Sequence, residues 1–300
     1  MNKEKVTVFT HSDLDGVVSY LVLCWLYGRK LDYIATTPMK LEQDYIKWEK
    51  SEKECDRLYF LDLDVTKIGN LIDHENTKAV VIDHHKTNLY VYKHAKTRIY
   101  NETSCAKLLY DTFFKEESGK QLTPVQKTLI ALADDWDSNT KATPLSEQLN
   151  IVYHSMSNKF NSFVEDYYNG FKPFDKFKQN TILLYKKHKK EYLDSRHPYI
   201  FTGKVNFDES LAKVGAVFCD KFVQECCDYL FEKYEVDVAI AVLMNQKRIA
   251  VRRNSNNQTI DVSKFVQKIA SGGGHEAAAA GGNLTDEFIE FTKLLKPLEN

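Results

Sequence analysis

Acidic and histidine side chains follow several apolar segments of the sequence at the point where each segment ends. In the first of them, THSDLDG, residues His11, Asp13 and Asp15 occupy alternating positions. Alternate side chains of an extended segment lie on one side, so these three can converge on one or two cations. Carboxylates this close together do not all ionise unless a cation is near. An Asp-rich helix N-cap is the alternative, and this motif alone leaves both interpretations open.

Two further motifs follow predicted strands. In YFLDLDVTK, Asp62 directly follows the apolar run, whereas Asp64 is better placed to cap the next helix. The segment AVVIDHHKT ends in Asp83, His84 and His85. Their side chains alternate in direction, so if His84 faces the cations, His85 points differently and can reach a substrate instead. Imidazole and carboxylate groups are costly to crowd together unless something binds them.

A fourth motif, LADDWDSN, contains three acids within one helical turn or at its end, and at least two of them are expected to be solvated caps. Oxygen and nitrogen ligands without cysteine favour Mn²⁺, with Mg²⁺ or Co²⁺ as substitutes and Zn²⁺ as an alternative. Two such ions about 3.5–4 Å apart are the usual arrangement for attack on phosphate esters. Together the motifs therefore predict a two-metal site.

The elements that position these residues alternate between strand and helix in the first half of the chain. The predicted strands are KVTVFT, LDYIATT, RLYFLDLD and KAVVIDHH. Three of them are continuously apolar, which indicates burial on both faces and hence a parallel sheet with helices outside. In such sheets, functional groups gather at the carboxyl ends of the strands. We therefore predict an α/β fold for residues 1–150, with a mostly parallel sheet flanked by helices.

The second half of the sequence predicts a helical linker and a smaller C-terminal α/β domain. Residues 160–195 are rich in Lys, Tyr and Phe and predict one long exposed helix, so we place the linker at residues 151–196. In the domain at 197–300 we predict a helix over 211–234, a hairpin across DVAIAVLMNQKRIAVRR and a helix from DVSKFVQKIA. A cleft between the two α/β domains is the expected place for an active site.

The composition excludes several classes of protein. With 300 residues, 43% hydrophobic and 28% charged, the chain is typical of a soluble globular protein. A net charge of −1 means that local charge must hold any phosphate-bearing partner. The longest apolar stretch is shorter than the roughly 20 residues that cross a bilayer, and the N-terminal residues do not read as a signal peptide. Six cysteines without a CxxC pair predict free thiols and a cytoplasmic location.

Taken in order, the motifs THSDLDG, LDLD, VIDHHKT and WDS resemble the four motifs of the DHH phosphoesterases. The segments RIAVRRNS and DVSKFVQKIASGGGHEAAAAGG resemble the DHH-associated C-terminal domain, with its GGGH loop. Within the family, HSDLDGV together with IDHHKT is most similar to the oligoribonuclease (nano-RNase) branch. The resemblance spans nearly the whole chain and is weakest from about residue 140 to 210.

The resemblance implies two manganese ions with one shared ligand. It assigns the first ion to His11, Asp13 and Asp62, and the second to Asp15, Asp62, His84 and one acid of the fourth motif. For that acid, Asp137 is preferred because Ser138 follows it, and Asp134, one turn earlier, stays an alternative. His85 would contact the scissile phosphate or protonate the leaving oxygen.

For the C-terminal domain, the resemblance implies substrate binding. The residues concerned are Arg252, Gly272, Gly273, Gly274 and His275. The planar fork of an arginine suits phosphate, and consecutive glycines let backbone amides approach an oxyanion. A tight turn before an alanine-rich helix is the alternative explanation of the glycine run.

The implied activity is a manganese-dependent phosphodiesterase that cuts short oligoribonucleotides from an end and releases nucleoside 5′-monophosphates. A cyclic-dinucleotide or adenosine-bisphosphate phosphodiesterase is the main alternative. A single-strand DNA exonuclease is less favoured, since that branch usually carries an extra oligonucleotide-binding module. A non-catalytic nucleotide-binding regulator is disfavoured because every expected ligand position is occupied. The expected partners are short RNA or nucleotides and no membrane, while a homodimer and the direction of degradation stay open.

Overall fold

The computed structural model of this 300-residue chain describes residues 4–51, 53–85, 88–99, 103–115, 119–138, 140, 142–207, 210–257, 259–274, 278–282 and 294–297. The chain divides into two compact units, Met1–Leu183 and Leu184–Asn300. The boundary predicted at residue 150 falls inside a helix of the first unit. The observed boundary, between residues 183 and 184, falls inside the helix Lys176–Asp194.

A five-stranded parallel sheet forms the centre of the first unit. Its strands are β1 (Val6–His11), β2 (Asp32–Thr36), β3 (Arg57–Leu61), β4 (Ala79–Asp83) and β5 (Lys96–Ile99), in the order β2-β1-β3-β4-β5. All four neighbouring pairs are parallel. Strands β1, β3 and β4 are buried along almost their whole length, because their residues are continuously apolar. The predicted α/β fold with a parallel sheet is confirmed.

Helices cover this sheet and continue beyond it. They are α1 (Leu14–Tyr27), α2 (Leu41–Glu49), α3 (Gly69–Ile72), α4 (Cys105–Leu109), α5 (Pro124–Asp137), α6 (Pro144–Ser155), α7 (Lys159–Tyr167) and α8 (Lys176–Asp194). Helix α1 is buried from Leu14 to Trp25 and packs against β1, α4 and α5. A helix without a polar face is stable only when it is enclosed in this way.

Local sequence signals set the ends of these helices. Ser104 caps α4, since its side chain accepts a hydrogen bond from the amide of Lys107. Thr123 begins α5 with a capping box to Gln126. The single helix predicted over 160–195 is wrong, because α7 ends at Tyr167 and α8 begins at Lys176. Between them Gly170 has φ 106°, which side-chain-bearing residues rarely adopt.

The second unit contains a mixed seven-stranded sheet. Its strands are β6 (Ile200–Phe207), β7 (Ser210–Phe218), β8 (Val238–Leu243), β9 (Arg248–Arg253), β10 (Ser271–Gly274), β11 (Ala278–Gly282) and β12 (Lys296–Pro297), in the order β10-β11-β9-β8-β7-β6-β12. Only the β7–β8 pair among these described strands is parallel. Its helices are α9 (Val223–Tyr234) and α10 (Val262–Ile269). The predicted β8–β9 hairpin and the α10 helix are confirmed.

Two predictions for this unit are corrected. The helix predicted over 211–234 is a strand in its first part, because β7 ends at Phe218 and α9 begins only at Val223. The glycines 272–274 lie in strand β10 and not in a loop. The alanine-rich segment after them, for which a helix was the alternative prediction, forms strand β11 and pairs with β10. His275 lies outside the described residues.

Two expectations from composition can be compared with the structure. All six cysteines are free thiols and five of them are buried, as predicted. In the described part of the chain, no helix combines the length and the apolar character that crossing a membrane requires.

Candidate metal centre

The carboxyl ends of three neighbouring strands bring the acidic motifs together. His11 is the last residue of β1, and Asp62 directly follows β3. Asp83 ends β4 and is followed by His84 and His85. Because β1 pairs with β3 and β3 pairs with β4, all in parallel, these residues meet at one edge of the sheet.

Three groups of His and Asp residues have ligand atoms within 4.8 Å of one another. They are His11, Asp13 and Asp62; Asp15, His84 and Asp137; and Asp62, His84 and His85. Asp62 and His84 each belong to two of the groups, which connects all three into one cluster. The structure therefore brings together the predicted ligand residues, and we call these seven residues the acidic cluster.

The first group is centred on His11. Its Nδ1 lies 2.7 Å from Asp13 Oδ2 and 3.6 Å from Asp62 Oδ2. Among the described residues, neither this nitrogen nor Asp62 Oδ2 has a partner in hydrogen-bond geometry, although both atoms are buried. Asp13 caps α1 by accepting a hydrogen bond of 2.9 Å from the amide of Gly16. Buried polar atoms without partners need an explanation, and a cation between them supplies one.

The second group is held in place by two helices. Asp15 lies in the first turn of α1, which begins at Leu14; the prediction that Asp15 extends a strand end is therefore wrong, although its side chain still reaches the cluster. Its carboxylate accepts hydrogen bonds from the amides of Cys105, at 2.7 Å, and Ala106, at 3.0 Å. The N-terminus of α4 thus fixes both oxygens of Asp15.

The fourth motif contributes Asp137 and not Asp134. Asp137 Oδ2 lies 3.5 Å from His84 Nε2. Asp134 Oδ1 instead accepts a hydrogen bond of 2.8 Å from the amide of Ser104, and Asp134 belongs to none of the three groups. The placement agrees with the preference for Asp137, while its role as a ligand stays a prediction. His74, which we expected on a polar surface, is exposed.

A positioning arrangement beside the cluster was not predicted from the sequence. Asp83 is fully buried, and its Oδ1 lies 2.7 Å from His85 Nδ1. Its Oδ2 accepts a hydrogen bond of 2.9 Å from the side-chain amide of Asn88. Asp83 therefore orients the His85 ring, and Asn88 orients Asp83. No pattern in one sequence connects Asn88 to this task.

The backbone at Asp62 is strained. Its φ of 56° lies in the left-handed region, which costs a non-glycine residue about 1–3 kcal/mol. The amide of Asp62 donates a hydrogen bond of 3.0 Å to the carbonyl of Ile82 in β4, which holds this conformation. Strain of this kind gathers at functional sites, where the surrounding structure maintains it.

Comparison with known proteins agrees with this geometry. Residues 5–133 match the family described as the DHH family, N-terminal domain. Residues 5–133 are a DHH-family N-terminal domain. Proteins of the DHH family are hydrolases that act on phosphate esters. No curated protein matches the sequence.

Solved structures show the same fold over nearly the whole chain. One is a pGpG-specific phosphodiesterase, PggH from Vibrio cholerae, with 15% identity, a TM-score of 0.61 and coverage of 96% of this chain and 97% of that chain. A DHH domain from a member of the s1p family of ribosomal proteins has 15% identity, a TM-score of 0.69 and coverage of 97% and 86%. The exonuclease RecJ bound to manganese has 12% identity, a TM-score of 0.57 and coverage of 97% and 88%. At such identities, these similarities establish the fold alone.

The electrostatics of the DHH-family site favour cation binding. Burial raises the pKa of the Asp62 carboxyl well above its usual value, and the nearby charge of Asp13 adds to this. Burial, with the charges of Asp62 and Asp137, does the same to the pKa of Asp15. Burial opposes protonation of His11, but the nearby carboxylates of Asp13 and Asp62 still raise its pKa to about 10. A divalent cation would relieve the repulsion among these carboxylates.

The donor set also fits particular metals. Every ligand atom of the acidic cluster is a carboxylate oxygen or an imidazole nitrogen, and such sets suit Mn²⁺ and Mg²⁺. RecJ from Thermus thermophilus is described with Mn²⁺ in one solved structure and with Mg²⁺ in another. The donor chemistry of this chain makes the cluster a candidate centre for divalent metals.

Proposed function

We propose that this chain is a manganese-dependent phosphodiesterase that hydrolyses short oligoribonucleotides from an end and releases nucleoside 5′-monophosphates. The observation that carries the proposal is the convergence of the acidic cluster on Asp62, whose two oxygens face different groups: Oδ2 lies 3.6 Å from His11 Nδ1 and Oδ1 lies 3.1 Å from His84 Nε2. Bound cations would act as Lewis acids that stabilise the charge developing on a phosphate.

Hydrogen bonds within the protein fix some of the proposed ligands. His11, Asp13 and Asp62 would bind one ion, and Asp15, Asp62, His84 and Asp137 would bind the other. Asp13 is fixed as the cap of α1 and Asp15 by the amides at the start of α4. Ligands fixed by the fold need little reorganisation when the charge on the substrate changes.

His85 is the proposed residue for direct work on the substrate. Its Nδ1 is engaged by Asp83, so Nε2 is the ring nitrogen left to meet a phosphate. The side chain is 35% exposed, which leaves it accessible to a ligand. From there Nε2 can bind the scissile phosphate or give a proton to the leaving oxygen. A substrate with a p-nitrophenyl leaving group distinguishes these two roles. The loss of activity in His85→Ala should be smaller with this substrate than with RNA only if His85 is the general acid.

The second unit is proposed to bind the nucleotide. Arg252 lies in β9 and is partly buried, and its Nε is buried without a hydrogen-bond partner among the described residues. A phosphate would satisfy this donor. The glycines 272–274 and His275 stay predicted substrate-binding residues. Short RNA oligonucleotides are the proposed substrates, and PggH, described as specific for the dinucleotide pGpG, makes a linear dinucleotide the first substrate to test.

The experiment compares hydrolysis of three labelled substrates in the presence of Mn²⁺: an RNA dinucleotide, a longer RNA and a cyclic dinucleotide. We expect the dinucleotide to be cut fastest and to yield monophosphates. Asp62→Asn should abolish all turnover, and His74→Gln, at an exposed site outside the cluster, should not change it. Cleavage of the cyclic substrate alone would contradict the proposal in favour of a cyclic-dinucleotide phosphodiesterase. A preference for the longer RNA would also contradict it.

A further inference from the structure

A lysine outside the acidic cluster lies beside its first group. Lys159 is the first residue of α7 and is partly buried. Burial lowers its pKa, and the charge of Asp13 opposes that lowering, which places the ammonium within the field of this carboxylate. No motif of the sequence marks Lys159, because it lies in the segment where the family resemblance is weakest.

Tyr153 connects this lysine to the cluster. The ring is fully buried, and the Lys159 Nζ lies 5.0 Å from its centroid. The hydroxyl donates a hydrogen bond of 2.8 Å to the carbonyl of Ser12, between His11 and Asp13. One side chain therefore fixes the turn that carries two predicted ligands and also supports the lysine beside them.

Lys159 differs from the other lysines of this unit that lie on tyrosine rings. Lys30, Lys115 and Lys172 contact Tyr168, Tyr110 and Tyr167, and they pair with Glu165, Asp111 and Asp166 respectively. No carboxylate of the described residues lies within 4 Å of the Lys159 ammonium. A partly buried cation that pairs with no carboxylate at close range is available to an anionic ligand.

We propose that Lys159 binds a non-bridging oxygen of the substrate phosphate on the His11–Asp13 side of the acidic cluster. This inference rests on the proposed function, because it deepens the substrate contacts of the same site. A lysine at the edge of the cluster attracts the substrate phosphate as a point charge, in addition to any bound metal ions. Lys159 is thus a substrate-binding residue and not a metal ligand.

The first test is kinetic. Lys159→Gln should raise KM for the RNA dinucleotide by about tenfold or more, which corresponds to about 1.4 kcal/mol, and change kcat less. Lys159→Arg should restore most of the loss because it keeps the charge. Lys30→Gln is the matched control, since Lys30 also lies on a tyrosine ring, 5.4 Å from its centroid, and should leave KM unchanged. Equal KM values in Lys159→Gln and wild type would overturn the inference.

The second test needs no turnover. Calorimetric titration of the Mn²⁺-loaded protein with AMP and with adenosine isolates the phosphate contribution. Lys159→Gln should weaken AMP binding about tenfold and leave adenosine binding unchanged. If Lys159→Gln does not fold, Lys159→Met is used in its place, because methionine keeps an aliphatic side chain against Tyr153.

The outcomes separate the two proposals. If the wild type cuts none of the substrates but AMP binding still depends on Lys159, the proposed function is wrong and this inference stands. If the wild type is active and both Lys159 variants bind AMP as wild type does, only the inference fails. If the wild type neither cuts the substrates nor binds AMP, both are wrong.

Discussion

At the scale of single residues, the site depends on side chains that hold one another. Asp62 belongs to two groups of predicted ligand residues, and its backbone has a strained, left-handed conformation. Asp83, buried beside it, carries no predicted ligand role but determines where His85 points. Residues that orient a catalytic or ligating histidine typically contribute 10- to 100-fold to activity or metal affinity, roughly as much as a weak ligand.

Asp83→Asn should therefore lower kcat about 10- to 100-fold and change KM little. The variant keeps the shape of the side chain but loses the charge that holds the His85 ring. Asn88→Ala removes only the support of Asp83 and should lower kcat by a smaller factor. The check is steady-state hydrolysis of the RNA dinucleotide, and an Asp83→Asn enzyme with wild-type kcat would show that His85 is positioned by other groups.

The sequence predicts the ligands better than their supports. His11, Asp62 and His84 follow from one rule, since carboxyl ends of parallel strands share one edge. Asp15 was predicted for the wrong reason, because it projects from a helix. Asn88 could not be predicted, because its contact with Asp83 depends on how the chain turns after β4, and a single sequence does not specify that path.

At the scale of elements, the end of α5 is fixed by Asp135. This buried residue accepts hydrogen bonds from the amides of Ala142, at 2.7 Å, and Thr143, at 3.3 Å, and from the hydroxyl of Ser146, at 2.6 Å. These contacts connect the last turn of α5 to the first turn of α6. Asp137, a predicted ligand, lies two residues after Asp135. This connection between α5 and α6, which we call the α5–α6 corner, therefore also positions the candidate metal centre.

Asp135→Asn should lower the free energy of unfolding at pH 7 by about 1–3 kcal/mol. Burial opposes ionisation of Asp135, but the hydrogen bonds from Ser146, Ala142 and Thr143 lower its pKa below the usual value. A lowered pKa in the folded state contributes stability above the unfolded-state value of about 3.9, and this contribution is lost as the pH falls through the folded-state pKa.

The measurement is denaturant unfolding of wild type and Asp135→Asn between pH 7 and pH 3. The difference between the two should narrow as the pH falls below about 4. Asp32→Asn, at an exposed position that begins β2, is the control and should match wild type throughout. A difference that is constant over this range would mean that the Asp135 charge does not stabilise the corner.

The close packing of α1 against β1 requires glycine at position 16. A Cβ there would lie 2.1 Å from the carbonyl oxygen of His11, a separation that real atoms do not tolerate. Gly16→Ala should therefore push α1 away from β1, lower stability by more than about 2 kcal/mol and weaken Mn²⁺ binding. Gly28→Ala, at the far end of α1, has no such contact and should cost only about 1–2 kcal/mol for its left-handed backbone.

Thermal unfolding and Mn²⁺ titration of the two glycine variants make the comparison. Loss of metal affinity in Gly16→Ala but not in Gly28→Ala is the expected result. If both variants bind Mn²⁺ as wild type does, close contact between α1 and β1 is not needed to form the site.

Secondary structure is predicted well where a segment is buried along its whole length. It is predicted poorly where pairing with other strands decides between helix and strand. The four strands predicted for the first unit, three of them from continuously apolar segments, correspond to β1–β4. Strand β7 was mistaken for helix, because LAKVGAVF fits both periods. Its pairing with β6 and β8 and the burial of Ala212, Val214 and Ala216 on one face decide the outcome. Such pairing partners lie far away in the sequence.

At the scale of the whole molecule, two units of different construction share the chain. The first is a parallel α/β unit with the candidate metal centre at its strand ends, and the second contains a mixed sheet with the proposed nucleotide-binding Arg252. Ordered motifs at strand ends made the family of the first unit predictable. In the second unit, the strand conformation of the glycine run was not predicted, because glycine and alanine runs carry little information about conformation.

Equilibrium titration with Mn²⁺ tests whether two cations share Asp62 as a ligand. Wild type and His74→Gln should each bind two ions per chain, and Asp62→Asn should lose at least one of them. Binding of fewer than two ions by wild type, or unchanged binding by Asp62→Asn, would show that Asp62 does not join two metal sites.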